Sequence, residues 1–170
     1  DYRCERIALV VNDECMDFME QQLPQQKVVV VRGGDTRQQS VYNGLLATDS
    51  DIVLIHDGAR PWVDEGCIDR LLEALESEEA AILTIPVADT MKRIENGYLV
   101  ETIDRDSLRR AQTPQGFVRS VLTEAYKEAI EQGLETTDDA MLYQTVTGKP
   151  VKNVEGSYDN IKITTISDVK

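Results

Sequence analysis

The sequence predicts an α/β protein with a Rossmann-like, mostly parallel sheet flanked by helices and one inserted β-hairpin. Three observations carry this expectation. Short apolar, β-branched runs recur along the chain, amphipathic helical stripes lie between them, and an Asn-Gly pair breaks the alternation. Continuous apolar runs suit strands buried on both faces. Strands alternating with helices imply right-handed crossovers.

The strand runs are residues 5–11 (Glu-Arg-Ile-Ala-Leu-Val-Val), 27–31 (Lys-Val-Val-Val-Val), 51–55 and 80–85. A helix over 64–76 places Ile68, Leu71, Leu72 and Leu75 on one stripe, and a helix over 120–132 does the same with Val121, Leu122, Ala125, Tyr126, Ala129 and Ile130. Residues 89–103 centre on Asn96-Gly97, a type I′ turn signal. That turn sets Ile94 opposite Leu99 and Lys92 opposite Glu101. A lone hairpin has too little core to stand by itself. The arm over 87–106 is therefore expected to lie on its own body or on another subunit. No repeat or Pro/Gly-rich linker divides the chain, so residues 1–170 read as one domain.

The 170 residues carry 18 Lys+Arg against 31 Asp+Glu, a formal net charge of −13. Such a surface repels nucleic acid and anionic membranes. No apolar run approaches the ~20 residues that span a bilayer, and no signal-peptide pattern opens the chain. Cys4, Cys15 and Cys67 lack metal-ligand spacing, which fits reduced thiols in the cytoplasm. The opening Asp-Tyr-Arg-Cys reads as the interior of a longer protein.

In open α/β sheets ligands bind beyond the carboxyl ends of the strands. Past the second strand comes Arg32-Gly33-Gly34-Asp35-Thr36-Arg37-Gln38-Gln39-Ser40, where the glycines permit close backbone approach and Thr36 suits a helix cap. Past the third comes His56-Asp57-Gly58-Ala59-Arg60-Pro61, joining an acid suited to a hydroxyl or a nearby metal with a guanidinium suited to phosphate. A structural Asp–Arg pair is the plainer alternative, and His56, the one histidine, reads as structural. With one His and no Gly-x-Ser-x-Gly, a nucleophilic triad is disfavoured. Without Gly-x-Gly-x-x-Gly, so is a nicotinamide oxidoreductase. Arg105, Arg109 and Arg110 crowd together in an otherwise acidic chain, as an anionic substrate requires, although they also balance Asp104 and Asp106. Thr136-Thr137-Asp138 forms a helix-cap pattern. Lys162 sits in an apolar run read as a strand, where it must find an anionic partner or reach solvent.

In order along the chain stand Gly33-Gly34-Asp35-x-Arg37-x-x-Ser40, His56-Asp57-Gly58-Ala59-Arg60-Pro61, Pro86-Val87-x-Asp89-Thr90-Met91-Lys92-Arg93, Gln112-Thr113-Pro114-Gln115-Gly116-Phe117, Thr137-Asp138-Asp139-Ala140 and Val154-Glu155-Gly156-x-x-x-Asn160-Ile161-Lys162-Ile163-Thr164. Each is weak alone. Together, from about Glu5 to Lys170, they resemble the 2-C-methyl-D-erythritol 4-phosphate cytidylyltransferases. Ribitol-5-phosphate cytidylyltransferases are close relatives and the alternative. Residues 89–93 and 159–162 look nearer the isoprenoid branch.

The resemblance implies roles. Gly34, Asp35 and Ser40 match the segment that reads the cytosine ring of CTP, and Asp57 with Gly58 matches the part near the ribose and acceptor. Arg60, Thr90 and Arg105 match residues that hold methylerythritol phosphate, some lent by the second subunit of a homodimer through the 87–106 arm. Thr113, Thr137 and Lys162 match further substrate contacts, with Arg105 and Lys162 orienting the acceptor phosphate for attack. Mg²⁺ is implied as a companion of the CTP phosphates, with no dedicated protein metal site. The family's glycine-rich triphosphate loop, its Arg and Lys, and the strand before it have no match here. The expectation is therefore a piece of a longer enzyme, with an inactive dimer-forming fragment as a further alternative.

Overall fold

A computed structural model describes residues 3–24 and 26–168. Lys170, where the resemblance ends, lies outside them. The elements are β1 (Ile7–Val11), α1 (Asp13–Gln22), β2 (Val28–Arg32), α2 (Arg37–Leu46), β3 (Ile52–Ile55), α3 (Glu65–Leu75), β4 (Ala80–Pro86), β5 (Met91–Glu95), β6 (Tyr98–Ile103), β7 (Arg109–Val118), α4 (Arg119–Glu131), α5 (Asp139–Thr147) and β8 (Lys152–Glu155). Among the described residues, no helix is long and apolar enough to cross a membrane.

The main sheet has the order β3-β7-β4-β8. β7 is antiparallel to β3 and β4, and β4 is parallel to β8, so three of the four strands share a direction. β1 and β2 form a separate parallel pair. α2 connects the two sheets: its Gly44 lies close against Val10 of β1, and its Leu45 is buried in the main core.

Both faces of the main sheet are covered. On one, Leu45, Val53 and Phe117 pack with Leu122, Ala125, Tyr126, Leu142 and Tyr143 of α4 and α5. On the other, Cys67, Leu71 and Leu75 of α3 pack against Ala81, Leu83 and Val154. The α3 and α4 stripes thus bury as their periodicity predicts, except Ile130 at the end of α4, which is 38% exposed. Side-chain caps set four helix starts: Asn12, Thr36, Asp64 and Asp138 each accept a first-turn backbone N–H.

β7 departs from expectation. Its residues, polar and interrupted by Pro114, lie outside the strand runs expected from the sequence, yet it is an interior strand. Gln112, Thr113 and Gln115 are buried in it and hydrogen-bonded. Proline removes a ladder donor. Against β4 the register jumps from Ile82–Gln115 to Thr84–Ala111, so Pro114 falls in the stretch that this ladder skips. Residues 160–164, read as a strand, carry no strand pairing and form a loop.

The hairpin forms with Asn96 and Gly97 both at positive φ, as a type I′ turn requires. Ile94 faces Leu99, but a register shift then pairs Arg93 with Glu101 and Lys92 with Thr102. The expected Lys92–Glu101 pair is corrected by this bulge: Arg93 Nε lies 2.9 Å from Glu101, and Lys92 donates to Thr102 Oγ1. Ile94, Tyr98 and Leu99 are 64%, 76% and 68% exposed.

Leu122 is fully buried between α4 and the sheet. Leu122→Ala is expected to cost about 2–5 kcal/mol of unfolding free energy, through lost burial and a cavity, as measured by urea denaturation.

Candidate active site

The site is built at the carboxyl end of β3. Its chain turns at once, with the Arg60 N–H donating to the Asp57 carbonyl at 3.0 Å. The loop that follows β8 closes over the turn, where the Ile163 N–H donates to the Ala59 carbonyl at 2.8 Å. That closure brings Lys162 Nζ within 2.9 Å of Asp57 Oδ2. Lys162 therefore finds its anionic partner, although from a loop rather than a strand. Arg60 Nε stands 3.9 Å from the same oxygen, and its Nη1 donates to the Asn160 carbonyl at 2.7 Å.

Buried amides hold the closing loop. Asn160, wholly buried, donates to the Thr113 carbonyl at 2.8 Å. Gln112 donates to the Ser157 and Asn160 carbonyls. The Thr113 hydroxyl accepts the Asp57 N–H at 3.0 Å. His56 completes this corner. The Arg60 carbonyl 3.0 Å from its Nε2 can only accept, so Nε2 carries the proton and Nδ1 accepts from Thr113 Oγ1 at 3.1 Å. Burial lowers the ring's pKa below the ordinary 6.5, which favours this neutral tautomer.

Burial pushes the Asp57 carboxyl up, but Lys162, Arg37 and Arg60 outweigh it and hold the pKa below the usual carboxylate range. Burial, with Arg110 adding repulsion, lowers the Arg60 pKa. Arg60 Nε is buried with no hydrogen-bond partner. Buried donors are normally satisfied, so this one marks where an acceptor belongs. A cavity of about 450 Å³ opens here, lined by Arg60, Arg110, Lys162, Tyr158, Asn160 and Asp168 among others. Clustered cations beside a paired carboxylate suit a phosphorylated ligand.

The 33–36 loop is shaped by α2. The Gly34 N–H donates to Ser40 Oγ at 3.0 Å, and Ser40 in turn donates to the Thr36 carbonyl. A Cβ at Gly34 would collide with Gln39. Asp35 and Gly58 are exposed. Thr137 is exposed just before α5 and donates to Met141 Sδ at 3.5 Å.

The structure thus brings Asp57, Arg60, Thr113 and Lys162 together. Thr90 and Arg105 stand apart in this single chain. Both are exposed beside the hairpin, and Arg105 donates to the Ala88 carbonyl at 2.7 Å. The sequence reading missed Asn160 and Gln112 as organisers because nothing local distinguishes a buried amide from a surface one. It also missed Arg37, which forms a bidentate pair with Asp139, 102 positions away.

A model of the 2-C-methyl-D-erythritol 4-phosphate cytidylyltransferase family matches residues 1–170. The chain belongs to this family. A cytidylyltransferase of that name from Bacillus velezensis is 47% identical over 171 residues, covering 98% of this chain and 74% of the relative. One from Geobacillus kaustophilus is 47% identical over 174 residues, with 99% and 76% covered. Among solved structures, the Thermus thermophilus cytidylyltransferase superposes with a TM-score of 0.86 at 36% identity, covering 98% of this chain and 80% of that one. The Anaerococcus prevotii 4-diphosphocytidyl-2C-methyl-D-erythritol synthase gives 0.89 at 33% identity, with 96% and 78% covered.

Two outcomes follow for this cytidylyltransferase-family site. Lys162→Met removes the main opposition to burial, so the Asp57 carboxyl is expected to titrate at higher pH, read by carboxyl carbon NMR. His56 has a folded pKa below its ordinary 6.5, so the unfolded chain takes up that proton first as pH falls. Its contribution to stability is complete above about 6.5 and is lost as pH falls through the folded pKa. Urea midpoints at pH 7.5 and about 5.5 are expected to differ less in His56→Gln than in the parent; equal differences would refute the neutral-ring assignment.

Proposed function

We propose that this protein is a cytidylyltransferase that joins CTP to 2-C-methyl-D-erythritol 4-phosphate, giving 4-diphosphocytidyl-2-C-methyl-D-erythritol and pyrophosphate, in the cytoplasm. Membership of the family supports the reaction. The observation that carries it is the Asp57–Lys162–Arg60 cluster, a cationic cleft in a chain of net charge −13.

An oxygen of the acceptor phosphate attacks the α-phosphorus of CTP, and the bond from that phosphorus to the bridging β-phosphate oxygen breaks as pyrophosphate leaves. A phosphate monoester is already anionic near neutral pH, so no general base is needed and the neutral His56 need not act as one. Catalysis rests on positioning and charge neutralisation. Lys162 and Arg60 hold the acceptor phosphate, with Arg60 Nε as a ready donor. Asp57 keeps Lys162 directed and faces the ribose and acceptor hydroxyls with Gly58. Gly34, Asp35 and Ser40 read the cytosine ring; Thr113 and Thr137 complete the substrate contacts. Mg²⁺ would be held mainly by the CTP phosphates, whose charge it would help neutralise. Among the described residues no three His, Cys, Asp or Glu side chains cluster to hold it.

The arm completes the site in a homodimer. Its exposed Ile94, Tyr98 and Leu99 supply apolar surface for a second copy, and the arm carries Thr90 and Arg105 to the partner's cleft.

The test is pyrophosphate release with CTP and either methylerythritol phosphate or ribitol 5-phosphate. The former is expected to be the substrate. Arg105→Ala should lower turnover roughly 10²-fold, the scale of a misplaced reacting group. Near-normal turnover in Arg105→Ala, or a preference for ribitol 5-phosphate, would sink the corresponding part of the assignment.

A further inference from the structure

We propose that Arg37 is a positioning residue for nucleotide binding: clamped by buried Asp139, it locks the 33–36 loop to the 137–139 turn, so the pyrimidine and acceptor sides of the cleft are held as one unit. This deepens the cytidylyltransferase reading above and rests on it.

Arg37 is the first residue of α2, directly after the loop of Gly34 and Asp35. Its Nη1 and Nη2 donate to Asp139 Oδ1 and Oδ2 at 3.1 and 2.7 Å, a two-pronged pair. Asp139 is 0% exposed, and the Tyr126 hydroxyl donates to its Oδ1 as well. An ionised carboxylate so deep in the protein depends on that guanidinium.

The surroundings make the clamp rigid. Gln115 of β7 donates to Asp138 Oδ2 at 3.1 Å and accepts the Ala140 N–H at 3.0 Å, fixing the turn that presents Thr137. Tyr42 of α2 stacks on Tyr126 of α4 with centroids 6.5 Å apart. α2, through Arg37, and α4, through Tyr126, thus converge on one carboxylate of α5. The Arg37 side chain itself is 42% exposed, so it sits at the rim of the core, not inside it. Its charge reaches Asp57, the carboxylate that Lys162 pairs with. A displaced Arg37 therefore moves the base-reading loop and alters the field at Asp57 together.

Lysine keeps the charge at position 37 but loses the fork. The experiment compares the parent protein, Arg37→Lys and Tyr126→Phe by calorimetric titration with CTP, by hydrogen exchange of peptides covering 33–40 and 80–86, and by steady-state kinetics. Arg37→Lys is expected to weaken CTP binding about tenfold, the scale of one lost hydrogen bond to a charged group. KM for CTP should rise in parallel while kcat stays within about threefold, the pattern of lost uniform binding. Exchange should quicken over 33–40 and stay unchanged over 80–86. Tyr126→Phe, which removes one donor from Asp139, should do the same more weakly.

If the parent protein does not bind CTP, the cytidylyltransferase reading falls and this inference with it. If the parent binds CTP and Arg37→Lys binds it equally well, only the inference falls. The inference also falls if kcat drops while KM for CTP holds, or if exchange quickens equally over 80–86, since that pattern belongs to a general structural role. Should Arg37→Lys fail to fold, unchanged CTP affinity in Tyr126→Phe overturns the proposal.

Discussion

A half-buried carboxylate at the end of β3 is tolerable only because cations from distant parts of the chain turn toward it. Asp57 is held ionised by Lys162 from the loop after β8, by Arg60 from its own turn and by Arg37 at the start of α2. Lys162 and Arg60 approach the carboxylate directly, whereas Arg37, paired with Asp139, acts on it from a distance. The turn and the closing loop are therefore mutually dependent. In a chain of net charge −13 this local reversal of sign is the feature an anionic substrate can recognise.

β7 is the backbone counterpart of that arrangement. An interior strand is normally apolar, but here Gln112, Thr113 and Gln115 are buried in it and spend their polar groups on loops beyond the sheet. Gln112 and Thr113 reach the 156–160 loop and the Asp57 turn; Gln115 reaches the α5 start. The side chains of Gln112, Thr113 and Gln115 all find partners, and in a low-dielectric interior such satisfied groups favour one geometry, because displacing them leaves unpaired groups behind. The strand thus acts as a template that aligns separate loops around one cleft.

What could be read from the sequence followed the physics of each element. The apolar β-branched runs at 5–11, 27–31, 51–55 and 80–85 and the stripes of α3 and α4 announce themselves, because burial imposes a pattern on them. Asn96-Gly97 announces its turn through the positive φ of both residues. The bulge that re-pairs Arg93 with Glu101 was not legible, since one extra residue in a ladder leaves no mark in the pattern. Nor was β7, whose polar residues are satisfied only by partners some 23–57 positions away. At the site, Asp57, Arg60 and Lys162 stood out as charges among apolar and small residues. Asn160, Gln112 and the Arg37–Asp139 clamp did not, because their importance lies wholly in tertiary contacts.

The bulge in the hairpin has a bearing on solubility. An arm showing Ile94, Tyr98 and Leu99 to water could recruit stray chains by extending its ladder outward. The misaligned step beside Val100 coils the ribbon and breaks the even spacing of outward N–H and C=O groups that an incoming strand must match. The arm can therefore show apolar faces to water yet stay infertile along its margins, which disfavours runaway fibre growth.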